Sequence, residues 1–161
     1  MSSFWIAPFF AGLIGTTVLT LLVCIPRWLG IKGADMVRGL GALSVRDRDS
    51  DQGFISGLAM HYALGIVFAW LYLVGFQAFG FSFSALTGAL VGTFHGGLAM
   101  FVVEMIILER RPTEPPRSPS EGAPMSVSNQ ARVAALAQLI GHIFYGAIVA
   151  GIYQLFVTHP R

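Results

Sequence analysis

Charge is what this chain has least of. Only 11% of its 161 residues are Asp, Glu, Lys or Arg and 55% are hydrophobic, whereas a soluble domain carries about 25% charged residues. An ordinary water-soluble domain is excluded, and lipid is the solvent to reason with. The formal net charge of +2 leaves no basic face once the cations are placed in loops beside apolar runs, so nucleic acid is not expected as a partner. The one cysteine, Cys24, rules out a disulfide framework and a clustered thiolate metal site, and reads as a small core residue. There is no glycine-rich phosphate loop, His-Glu-x-x-His, Gly-x-Ser-x-Gly or Cys-x-x-Cys, which disfavours nucleotide and hydrolase chemistry. The expectation is a protein that is not an enzyme and has no metal site of its own.

What the chain does have is long apolar runs. A bilayer core of about 30 Å needs roughly 20 residues of helix at 1.5 Å rise, and four runs qualify: residues 5–25, 53–76, 84–108 and 134–157. The N-terminus has no positive region or small-residue cleavage site and reads as a retained first span. Pro26-Arg27 is expected to end that span, and Glu109-Arg110-Arg111 the third. Nine of the ten basic residues lie in the loops 26–52 and 109–133. The positive-inside bias therefore predicts both loops in the cytoplasm and both termini outside, in a bacterial or archaeal cytoplasmic membrane.

Within the first loop, Met36, Val37, Leu40 and Leu43 recur at helical spacing, consistent with a short interfacial helix or with an irregular loop. The run Arg46-Asp-Arg-Asp-Ser-Asp51 reads as a solvated turn. The Pro- and Ser-rich stretch Arg111 to Gly122 has too few apolar residues to pack alone and is expected to be flexible unless a partner holds it.

The chain also repeats. His61-x3-Gly65-x3-Ala69-x2-Tyr72 recurs as His142-x3-Gly146-x3-Ala150-x2-Tyr153, 81 residues on, and Ala11 with Gly15-Thr16 aligns with Gly88 and Gly92-Thr93, 77 residues on. The predicted fold is all-α: four transmembrane helices as two tandem, parallel helix-pair repeats about a pseudo-twofold axis along the membrane normal. Glycines four apart let helix backbones approach where lipid supplies no hydrophobic drive. Gly53, Gly57, Gly65, Gly88, Gly92, Gly96 and Gly146 are thus predicted packing positions in the bundle interior.

The string His142-Ile-Phe-Tyr-Gly-Ala-Ile-Val-Ala-Gly-Ile-Tyr153, with Gly12-Leu-Ile-Gly-Thr-Thr-Val-Leu-Thr20, resembles uncharacterised small four-span membrane proteins of bacteria and archaea. The resemblance covers about two spans and implies a four-helix fold; it brings no activity and no site residues.

Histidines inside spans are rare enough to be functional suspects, and His61, His95 and His142 are three of them. His61, Gly65 and Tyr72 share one helix stripe, as do His142, Gly146 and Tyr153, each histidine roughly 12 Å in from the cytoplasmic edge. One reading is that His61 and His142 ligate a haem b, with a chlorophyll-type pigment as a variant in which Gly57 makes room beside His61. The plainer reading is polar glue, with both histidines hydrogen-bonded to Thr16, Thr17, Thr93 or each other, each contact worth about 0.6–2 kcal/mol. His95 aligns with Val18 and is not duplicated; it is a third ligand, a proton-relay group, a quinone hydrogen-bond donor or a packing histidine. Glu104 is a proton-handling candidate or the partner of a loop arginine. Met60, Met100 and Met105 read as core, and His159 as a tail residue.

Three functions follow as expectations. The first is a non-catalytic subunit packed among other membrane subunits of a larger, energy-transducing complex. The second is a haem or pigment module on His61 and His142. The third is a proton or small-solute conduit on His95 and Glu104, which the scarcity of polar residues in the spans and the lack of proline inside spans two to four make harder to support.

Overall fold

The computed structural model describes the backbone of residues 2–29, 36–45, 47, 50–109 and 127–158; within its helices the side chains of 2–5, 27, 103–109, 127–128, 130–131 and 157–158 fall outside that description. The described residues are helical: α1 (Ser2–Trp28), α2 (Met36–Gly41), α3 (Asp51–Phe79), α4 (Ala85–Glu109) and α5 (Val127–Thr158). All but α2 are long and apolar enough to cross a membrane.

The helix ends follow from local chemistry. Ser50 caps α3, its Oγ accepting from the Gly53 N–H at 3.1 Å, and Asp51 adds negative charge to the first turn, where the helix dipole favours it. At the other end Gly80 takes the left-handed conformation, φ 67°, and the Phe81 N–H reaches back to the Phe76 carbonyl at 2.9 Å, a closure that glycine provides without a Cβ clash. Ser84 then receives the Thr87 N–H at 3.1 Å and opens α4. The uncharged turn expected around Phe79 to Phe81 is therefore present and capped on both sides.

Three expectations need correction. The first apolar span does end at Pro26, but the helix does not: α1 runs two residues on, to Trp28, with the Leu29 N–H bonded to the Ile25 carbonyl at 3.0 Å. Proline removes its own N–H bond but leaves the bonds beyond it intact, and membrane helices tolerate this. The short helix of the first loop exists, but it seats on α3. Val37 is buried, Arg38 donates from Nη1 to the Ser50 carbonyl at 2.9 Å and lies over the Phe54 ring, and Ser44 meets Ser56. Consequently Gly57 and Gly53 belong to this contact and not to the bundle interior: a methyl on Gly57 would run into the Val37 carbonyl, and one on Gly41 into the Gly53 carbonyl. The expectation for Arg111 to Gly122 lies outside the described residues, as do Arg46, Arg48 and Asp49 of the predicted turn.

The spanning helices pack in the order α3, α1, α5, α4, with slight direct contact between α3 and α5. Gly12 of α1 meets the α3 backbone at Gly65 and Ile66, and Gly65 meets Thr16. Gly88 and Gly92 of α4 meet the α5 backbone at Gly146 and His142, and Gly96 meets the His142 side chain. Gly15 faces Tyr145 and Val149 of α5, and Gly141 faces Leu19 of α1. A twofold relating the helix pairs would make α3 against α4 the copy of α1 against α5. Instead α1 and α5 pack closely, whereas α3 and α4 are not a closely packed pair and meet through the side chains of Phe68, Tyr72 and His95. The core is shared by α1 (Ala7, Ala11, Leu19, Val23), α3 (Ala69, Tyr72, Leu73, Phe76) and α5 (Tyr145, Val149, Ala150, Tyr153).

Candidate functional site

The bundle interior holds a cluster of imidazole and phenol rings assembled from three helices. On α3, His61, Phe68 and Tyr72 stand at i, i+7 and i+11, one face of a 3.6-residue helix, and on α5, Gln138, His142, Tyr145 and Tyr153 do the same. On α4, His95 lies between Gly92 and Gly96, and those two glycines bring the backbone of α5 close enough for the His142 ring to lie beside His95.

The His95 and His142 rings meet edge to face, centroids 4.9 Å apart. Phe68 covers the other side of His95 at 4.0 Å, Tyr145 meets it at 5.9 Å, and the Tyr72 hydroxyl lies 3.4 Å from its Nδ1. His142 Nδ1 is 2.8 Å from the Gln138 carbonyl. A carbonyl only accepts, so Nδ1 carries the proton and, in a neutral ring, the lone pair is on Nε2. His61 and His142 are 5% and 4% exposed.

The polar-glue partners expected from sequence do not serve the histidines. Thr17 pairs with the Tyr62 hydroxyl at 3.0 Å, and Thr93 bonds the Ala89 carbonyl of its own helix. Thr16 Oγ1 and His61 Nε2 are buried with no hydrogen-bond partner among the described residues. The glue is tyrosine: Tyr145 donates to the Gly65 carbonyl and Tyr153 to the Ala69 carbonyl, binding α5 to α3 where their backbones have little direct contact. Toward the end of the bundle that carries the Gly80 turn, Phe76, Phe83, Tyr72 and Tyr153 form a continuous aromatic cluster with centroid spacings of 5.6–5.8 Å.

Sequence named all three histidines; the structure sets His95 against His142 and buries His61 on α3. It could not place Phe68, Tyr145 or Gln138, although their spacing of seven, three and four residues from His61 and His142 was the signal available. Glu104 is on α4, and its side chain lies outside the described residues. Among the described residues no three His, Cys, Asp or Glu side chains form a group able to hold a metal ion.

A tetrapyrrole fits this packing poorly. The His95 ring takes the space beside His142, the Phe68, Tyr72 and Tyr145 rings surround His95 in turn, and a macrocycle ligated by His61 and His142 would displace rings of this set. The room beside His61 that Gly57 was expected to give a pigment is filled by α2.

No protein-family profile matches this chain, and neither do curated protein sequences or solved structures.

Proposed function

We propose that the protein is a non-catalytic membrane subunit that packs by its outer helix faces against the spanning helices of other subunits, with respiratory and photosynthetic complexes as the assemblies to test first. The observation that carries this reading is α4. It gives α5 one glycine stripe and α3 one histidine, and its spanning part is only 17% buried, against 28–39% for the other three. The rest of its circumference is Leu86, Leu90, Phe94, Gly97, Leu98 and Phe101, all exposed. Lipid covers such a face adequately, but a small residue between large aromatics is also what a crossing helix seats on. The test is extraction of the tagged chain from its own membrane in mild detergent, with a photocrosslinker at Phe94. Other spanning subunits should co-migrate and crosslink; a stable monomer with no neighbour would end the proposal.

In this reading both charged loops face the cytoplasm and both termini lie outside, as the distribution of Lys and Arg favours. The helix pairs α1–α3 and α4–α5 derive from a duplicated unit. Supporting this, Gly12 and Thr16 stand to Gly65 as Gly88 and Gly92 stand to Gly146, a spacing of 76 residues between partners and 81 between targets. The 77-residue alignment of Gly15 with Gly92 is not the one the contacts follow.

The conduit reading gains a polar cluster around His95 and loses an exit, because the aromatic rings around Phe76 close the way past it. Proteoliposome proton flux that falls in His95→Ala would revive it. An absorption spectrum of the purified chain before and after dithionite checks the haem and pigment reading, and no Soret, α or long-wavelength band is expected.

A further inference from the structure

We propose that His61 and Thr16, in the bundle interior that also holds the His95 and His142 rings, bind a small lipid-soluble carbonyl ring of the quinone class, which enters from the bilayer between α3 and α4. This goes beyond the subunit reading and does not depend on it.

The first observation is a pair of orphaned polar atoms. His61 Nε2 and Thr16 Oγ1 have no partner among the described residues, although both side chains are more than nine-tenths buried. Thr16 Oγ1 rests on Gly65, one turn beyond His61 on α3. Hydrocarbon provides neither atom with a hydrogen bond, and buried polar groups are otherwise satisfied. A ligand that brings a carbonyl oxygen offers an acceptor to the hydroxyl and to the imidazole N–H.

The second observation is the way in. Among the described residues α3 and α4 are not a closely packed pair, and the ring of His95 against Phe68 and Tyr72 bridges them. Leu64 and Leu98, each three residues past a histidine of the cluster, are 42% and 50% exposed. In this proposal the His95 imidazole is the group that swings aside for entry.

The third is the lining. A ligand that arrives through lipid must be apolar outside its binding group, and Phe68, Tyr72 and Tyr145 present ring faces and edges for a flat ring to stack on. A single six-membered ring needs far less room than a macrocycle, and in this proposal the His95 imidazole is the side chain that gives way to it. Carbonyls recognised by imidazole and hydroxyl donors, on a flat ring soluble in lipid, describe a quinone.

The experiment uses the purified full chain in phosphatidylcholine nanodiscs, titrated with a decyl-substituted benzoquinone while tryptophan fluorescence is followed; Trp70 lies two residues from Tyr72 on α3. Saturable quenching is expected. His61→Leu should weaken the midpoint by about tenfold or more, as loss of a buried hydrogen bond does, and His61→Gln should recover part of the loss. Thr16→Val, nearly isosteric, should weaken it several-fold and carries the test if His61→Leu fails to give the helical circular dichroism and elution volume of the parent. Quenching that rises linearly without saturating, or a midpoint equal in parent, His61→Leu and Thr16→Val, would overturn the site. Because the isolated chain is used, neither result bears on whether it belongs to a larger assembly.

Discussion

Whether a glycine in this bundle tolerates a side chain depends on what lies just past its hydrogen. At Gly88 it is the Gly146 carbonyl, whereas at Gly97 nothing lies within 4 Å. Gly88→Ala should therefore force α4 from α5 and cost about 1–3 kcal/mol, as overpacking does. Gly97→Ala should be neutral or stabilising by about 0.5–1 kcal/mol, since alanine is the better helix former. Unfolding in mixed micelles with rising dodecyl sulfate compares the two, and equal effects would refute the packing described. In the same assay Tyr145→Phe removes the hydroxyl that Gly65 accepts and should cost about 0.6–1.7 kcal/mol, the range for hydrogen bonds between membrane helices. At this scale much was legible: glycines four apart on α4 announced close approach, and histidines inside spans announced a buried polar cluster. What each glycine touched was not legible. Gly57 and Gly65 are both buried or partly buried, two turns apart on α3, yet one receives the α2 backbone and the other a threonine hydroxyl, a difference set by a loop contact that has no periodic signature.

At the scale of elements, the sequence specified the spans and the turn, because hydropathy and the Gly80 stop act locally. It placed the end of the first span at Pro26 but not the end of the helix, because a proline near a helix end reads as a stop even where the chain continues helical. It also undervalued Ser50, which emerges as the cap of α3 only once the run before it is seen as a turn ending in a helix. Ser50→Ala should cost about 1 kcal/mol. The loss should be local, with faster amide exchange at Gly53 and Phe54 and little change beyond the second turn. Even protection along the whole of α3 in the variant would show that the α2 contact, and not the cap, holds this end.

Across the whole molecule, the order α3, α1, α5, α4 was hidden. A repeat predicts equivalent pairs, but it does not say which of two possible pair–pair contacts closes tightly. Here Gly15 and Gly141 favour α1 against α5, while rings fill the space between α3 and α4. The loops' basic residues make a separate prediction. With Cys24 replaced by serine, an impermeant maleimide added to intact cells should label Phe79→Cys and leave Ser118→Cys unlabelled until the membrane is opened. The reverse pattern would invert the topology.

The turn that joins α3 and α4 bears on how the protein is made. Between Phe79 and Ala85 there are five residues, none charged; Phe81 among them and Phe79 before them are exposed. So short a link gives neither helix time to settle alone. In the topology proposed above, the two should leave the translocation machinery together as one hairpin, the uncharged bend crossing at little electrostatic cost. A charged residue placed in that bend would act during synthesis, before the bundle has packed.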